Sequence, residues 1–280
     1  MIVLSFSFPT YIQADAAPGD VIITLGENLS EDEKQRILSE MDAPETAQII
    51  TVSNEEEHKY LGDYIPKATI GTRALSSSAI TIGEPDSGLT IETNNITWVT
   101  DEMYTNALIT AGVKDASIYI TAPTNVSGTA ALTGIIKAYE ISSDEAIPEE
   151  VKQVANEEMV KTAKLGDEIG AENAAALMAK IKDKIANNTP ETDDELRTII
   201  ENSAAELGIT LTEQDIQGLI DLFNKMKELN IDWNQIGEQL NLAKEKITKF
   251  LESEEGQNFL DKLKEFINSI IDAIKALFKG

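Results

Sequence analysis

Apolar residues recur with two different periods along this chain, and the change falls just after Tyr139. Before it, short apolar runs and alternating segments of strand type interleave with helical stripes. After it, only the helical stripe persists. A chain patterned in this way is constrained to build a layered α/β or α+β unit first and an all-helical unit second. The predicted boundaries are 17–142 for a mixed five-strand sheet with helices and 143–280 for a helical bundle, with 1–16 standing apart.

The stretch from Trp98 to Glu140 shows the first pattern in compressed form. Thr100 precedes Asp101 and Glu102, so a hydroxyl and two carboxylates meet the free N–H groups of a helix start. Met103, Ala107, Leu108 and Ala111 follow at helical spacing, and Gly112 supplies a left-handed stop. Ser117 to Thr121 has the β-branched and aromatic content of a strand, which Pro123 is expected to end. Ser127-Gly128 then opens a helix carrying Ala131, Leu132, Ile135, Ile136 and Tyr139. Upstream, Val21–Leu25 is a nearly continuous apolar run that suits a strand covered on both faces. Ser30 and Glu33 have capping-box spacing, ahead of Ile37, Leu38 and Met41. Gln48–Val52 is a second strand, and Asn54 is expected to cap the glutamate-rich helix that follows. Ile80 and Ile82, then Leu89 and Ile91, alternate with threonines around Glu84-Pro85-Asp86-Ser87-Gly88, which predicts a hairpin. The element order is β-α-β-α-β-β-α-β-α.

Beyond the polar junction at Ser142 to Pro148 the helical faces are explicit. Val151, Val154, Met159 and Leu165 line one helix, which Gly166 is expected to stop. Ala174, Met178, Ile181 and Ile185 line the next. Thr192 with Glu195, Thr212 and Asp232 start three more. A final stripe runs from about Gln257 to the end.

Acidic residues number 49 and basic residues 23, and 23 − 49 gives a net charge of −26. That charge repels phosphate backbones and disfavours nucleic-acid partners. Cysteine is absent, which excludes disulfides, thiolate metal sites and cysteine nucleophiles. The segment MIVLSFSF followed by Ala14-Asp15-Ala16 has the form of the tail of a secretory signal whose basic front is missing. Export follows as an expectation, with the mature chain beginning near Asp15 to Ala17; the plainer alternative is a short apolar N-terminal strand.

Several segments carry a more specific resemblance. DVIITLGENLSEDEK, EEEHKYLGDYI, ALSSSAITI, GLTIETNNIT, TDEMYTNALITAGVKDASIYITAP, VSGTAALTGIIKAYE and KITKFLESEEGQNF resemble the YpuA-like family, a domain-of-unknown-function family of secreted proteins from Gram-positive bacteria. The resemblance covers nearly the whole chain from about Asp15. It implies a location outside the membrane near the cell envelope. The family carries no assigned reaction, so no catalytic residue is transferred.

The candidate sites are few. Thr124, Ser127, Gly128 and Thr129 lie in a loop between a strand and a helix start, where main-chain N–H groups and hydroxyls can hold an anion; the plainer reading is a Ser127 cap with Gly128 allowing close packing. His58, the single histidine, sits among glutamates on what reads as a solvated helix face. Ser76, Ser77, Ser78, Thr81, Thr90, Thr93 and Thr97 would crowd one exposed side of the hairpin, a face suited to glycan or to another strand. Phe259, Phe266, Ile270, Ile274 and Phe278 lie on the apolar stripe of the last helix. That stripe either closes the bundle or rests on a membrane surface. No catalytic residue, cofactor or metal ligand set is assigned. The function expected is a non-catalytic binding or structural module of the cell envelope, with cell-wall polymer or an envelope protein as partner. Two alternatives stand beside it: a carboxylate-dependent hydrolase acting on cell-wall polymer, and a membrane-surface protein held by its last helix.

Overall fold

A computed structural model describes residues 17–143 and 146–252. The expected element order is observed, with a short additional helix: β1 (Val21–Gly26), α1 (Glu31–Glu40), β2 (Gln48–Val52), α2 (Asn54–Leu61), α3 (Lys67–Ile70), β3 (Ser77–Ile82), β4 (Leu89–Ile96), α4 (Asp101–Thr110), β5 (Ala116–Val126) and α5 (Thr129–Ser143). Five helices follow: α6 (Glu149–Ile169), α7 (Ala171–Asn187), α8 (Asp193–Glu206), α9 (Glu213–Glu228) and α10 (Trp233–Glu252). The N-terminal segment 1–16 and the apolar stripe with Phe259, Phe266, Ile270, Ile274 and Phe278 lie outside the described residues.

The five strands form one mixed sheet in the order β2-β1-β3-β5-β4. β1 and β2 are parallel, as are β4 and β5, while β3 runs antiparallel to both β1 and β5. The expected hairpin is therefore not formed, because β5 lies between β3 and β4. The reason is visible in β5 itself. Ile118, Ile120 and Ala122 are buried, and a central position pairs both of its edges where an outer one would leave a long strand half open. Residues 83–88 do not make a two-strand turn but close on Asp115. Gly83 N donates to the Asp115 carbonyl at 2.7 Å and Gly88 N to its carboxylate at 2.8 Å. Pro123 does not end β5 either. The β3 ladder reaches only the Ser77–Thr121 pair, so no partner strand faces the proline's missing N–H on that side. The serines 76–78, expected on an exposed face, are buried at the start of β3, and the Ser77 hydroxyl accepts from Gly26 N.

Capping chemistry sets most helix starts. Ser30 with Glu33 and Thr212 with Asp215 form capping boxes, and Thr100 and Thr192 accept from the third helical N–H. Ser53, not Asn54, caps α2, because Glu56 stands three residues on from Ser53 and completes the box. α6 runs through Gly166 and stops at Gly170, whose φ of 94° an L side chain would resist.

One face of the sheet packs Ile23 and Leu25 against Ile37 of α1. The other carries α5 and α4. There α5 approaches β1 so closely that a Cβ on Gly134 would stand 2.8 Å from the Thr24 methyl, and Thr24 donates to the Gly134 carbonyl. The core continues from Ile22, Ile80, Ile118 and Leu108 into Met159, Val160, Ala175 and Ile236 of the later helices. A second cluster lies wholly among α6 to α9, around Leu177, Ile200 and Phe223.

Between α4, α6 and α7 that packing encloses an ion pair. Lys182 Nζ lies 2.6 Å from Glu158, and both side chains are fully buried. Lys182 also donates to the Asn106 carbonyl at 2.6 Å, and Thr110 donates to the second Glu158 oxygen. Burial pushes the Lys182 ammonium below its ordinary value, against the opposing pull of Glu158.

Candidate functional site

Four polar residues of α5 fall on one side of a largely apolar helix. Thr129, Thr133 and Lys137 are spaced by four and Glu140 by three more, a single helical stripe. α2 faces it with Glu56, Glu57 and Tyr60, and α6 with Glu149, Lys152 and Asn156. Where the three helices meet, Glu56, Tyr60, Thr133, Ile136, Lys137, Glu140, Lys152 and Asn156 line a cleft of about 210 Å³.

Its charges are already paired. Lys137 Nζ donates to Glu56 at 2.7 Å and to the Thr51 carbonyl at 2.9 Å. Lys152 Nζ donates to Glu140 at 2.8 Å, and Ile147 N donates to the other Glu140 oxygen. At the mouth, Glu149 accepts from the Tyr60 hydroxyl at 3.2 Å and pairs with Lys59. Burial alone would raise the Glu56 carboxyl, but Lys137 and the Ser53 cap outweigh it and hold it below the usual glutamate value. Lys59, and to a lesser extent Tyr60, hold Glu149 low as well. Two buried atoms in this lining have no hydrogen-bond partner among the described residues: Thr133 Oγ1 and Asn156 Oδ1. Asn156 is fully buried, and its amide nitrogen is taken by the Lys152 carbonyl.

The loop singled out from sequence lies at the top of the same valley. Thr124 is exposed on β5, and Ser127 is half-buried, with its hydroxyl 3.3 Å from that of Thr129. Gly128 has a φ of 93° and no room for a side chain. A Cβ there would stand 2.4 Å from the Tyr104 hydroxyl, which donates to the Gly128 carbonyl. Thr129 is buried and donates to Glu57 at 2.7 Å, and Asn54 donates to the other Glu57 oxygen. A carboxylate of the chain itself thus stands at the start of α5, where the loop was expected to offer its donors. Burial raises the Glu57 carboxyl above its ordinary value, although both hydrogen bonds oppose the shift.

His58 does not line the cleft. Its Nε2 lies 2.9 Å from the Gly71 carbonyl, which ties α2 to the end of α3, so the residue is a half-buried tether rather than a solvated one. Among the described residues no three His, Asp or Glu converge as a metal site, and no helix is long and apolar enough to cross a membrane. Sequence reasoning missed the cleft. The available signal was Lys137, a lone cation on a helix whose other faces are almost wholly apolar.

This arrangement of sheet and helices belongs to a defined family: residues 25–243 match the model described as protein of unknown function DUF1002, and the chain is a member of it. It is 57% identical over 278 residues to the uncharacterized protein YpuA of Bacillus subtilis (strain 168), covering 99% of this chain and 96% of that one. No solved structure matches the chain.

Proposed function

We propose that this protein is an exported, cell-envelope-associated binding or structural module that catalyses no reaction. The observation that carries this reading is the state of the cleft carboxylates. Hydrolysis of a wall polymer by two carboxyl groups needs one of them protonated and facing the substrate. Glu56 is instead held ionised by Lys137 and its cap, and both Glu140 oxygens are engaged by Lys152 and Ile147. Of the carboxyls that burial raises, Glu57 is turned inward onto Thr129 and Asn54, and Asp101, at the start of α4, is not part of the cleft lining. Export rests on the apolar, uncharged N-terminal segment and its Ala14-Asp15-Ala16 sequence.

Co-sedimentation of the intact chain with isolated cell walls and with membranes tests the proposal. Retention on walls without release of soluble wall fragments is the expected result. Fragment release that is lost in Glu56→Gln or Glu140→Gln would establish the hydrolase instead. Flotation with anionic vesicles that depends on Phe259 to Gly280 would establish the membrane-surface alternative. Mass spectrometry of the native protein tests export, since an intact Met1 on the mature product refutes it.

A further inference from the structure

We infer that the cleft between α2, α5 and α6 is a binding site for a single hydroxyl-bearing sugar ring, which deepens the binding function proposed above and rests on it. Three observations converge. First, the lining is electrically balanced, with Glu56 and Glu140 set against Lys137 and Lys152, each already in an ion pair of 2.7 Å. A net anion or cation gains little there. A zwitterion would have to open two closed pairs to be received. A hydroxyl need open none, because each carboxylate has about four acceptor sites and each ammonium three donors, more than the pairs use.

Second, Thr133 Oγ1 and Asn156 Oδ1 are buried in the lining without a partner among the described residues, and both belong to residues at least nine-tenths buried. Buried polar atoms of this kind cost stability unless something satisfies them. Both are neutral groups that a ring hydroxyl can serve. Third, Tyr60 and Ile136 add carbon surface to the same cleft, the kind of wall against which the C–H face of a pyranose packs while its rim of hydroxyls turns to the polar residues. The volume of about 210 Å³ suits one ring rather than a polymer groove. A terminal or side-branch residue of a glycan is the implied ligand.

Saturation-transfer NMR on the full chain tests this, with glucose and N-acetylglucosamine as probes and D-alanine as the zwitterionic control. Saturable transfer to ring protons of at least one sugar, and none to D-alanine, is expected. Affinity should fall about tenfold in Thr133→Val, which keeps the shape and removes one hydroxyl, and at least as much in Lys137→Met. Each variant is first matched to the native chain by circular dichroism. Transfer to neither sugar, preference for D-alanine, or sugar transfer unchanged in both folded variants would overturn the assignment. Wall sedimentation is run on the same samples. Wall retention in the native chain without sugar transfer removes this site and leaves the wider reading standing. Sugar binding in the cleft without wall retention removes the wider reading and keeps the site.

Discussion

Two lysine–glutamate pairs of nearly equal length stand in opposite surroundings. Lys182–Glu158, at 2.6 Å, is sealed between α4, α6 and α7 with both side chains at 0% exposure; Lys152–Glu140, at 2.7 Å, borders the cleft at 15% and 20%. The first is bound further by Asn106 and Thr110 and has no opening to solvent. It can receive nothing, and its consequence is structural: it fixes how the later helices sit on the sheet layer. The second has donors and acceptors to spare and lines the cleft. The same chemistry thus holds the fold together in one place and remains available to a ligand in the other, and solvent access is what separates them.

The comparison breaks most readily at the sealed pair. Lys182→Met leaves Glu158 charged in a dry site and is expected to lower unfolding free energy by about 3–5 kcal/mol in urea titration. The double variant Lys182→Met with Glu158→Leu should recover much of that loss; failure to recover would mean that the pair itself, rather than the stranded charge, was stabilising. At the cleft, Lys152→Met should cost only about 1 kcal/mol, since water reaches the carboxylate left behind. A loss as large as that of Lys182→Met would erase the distinction.

Glu57 sharpens the comparison through pH. Its folded carboxyl binds a proton more tightly than the unfolded one. The stability it contributes is full below the unfolded glutamate range and is lost as pH rises through the folded value. Glu57→Gln should therefore gain stability relative to the native chain as pH climbs through that value, measured by urea midpoints across the range. The smallest effect belongs to Arg197–Glu213, a forked pair on the surface with side chains 30% and 73% exposed. Glu213→Gln should leave the midpoint unchanged within error.

What the sequence disclosed follows the reach of the interactions involved. Ser30, Thr100 and Thr212 were legible as caps because a cap bonds three residues away. Ser53 and Asn54 are adjacent residues able to play the same part, and only the register of Glu56 decides between them. The membership of β3, β4 and β5 in a sheet was legible from their composition. Their order was not, because Pro85, Asp86 and Gly88 signal a turn without saying what lies between the strands it joins. The cleft was illegible for the same reason. Glu56, Lys137 and Lys152 come from three helices brought together by tertiary packing, and each taken alone reads as an ordinary surface charge. The loop at Thr129 was identified as a helix start, but not the carboxylate of Glu57 that meets it from another helix.

The placing of β5 between β3 and β4 has a consequence for how the chain matures. As residues emerge in order, β3 and β4 appear before the strand that must lie between them. β3 cannot complete its ladder until Thr121 is free, nor β4 until Val126, and until then both carry open edges. Nascent chains halted before that residue should behave as sticky intermediates that cling to chaperones, and those halted just past α5 should release.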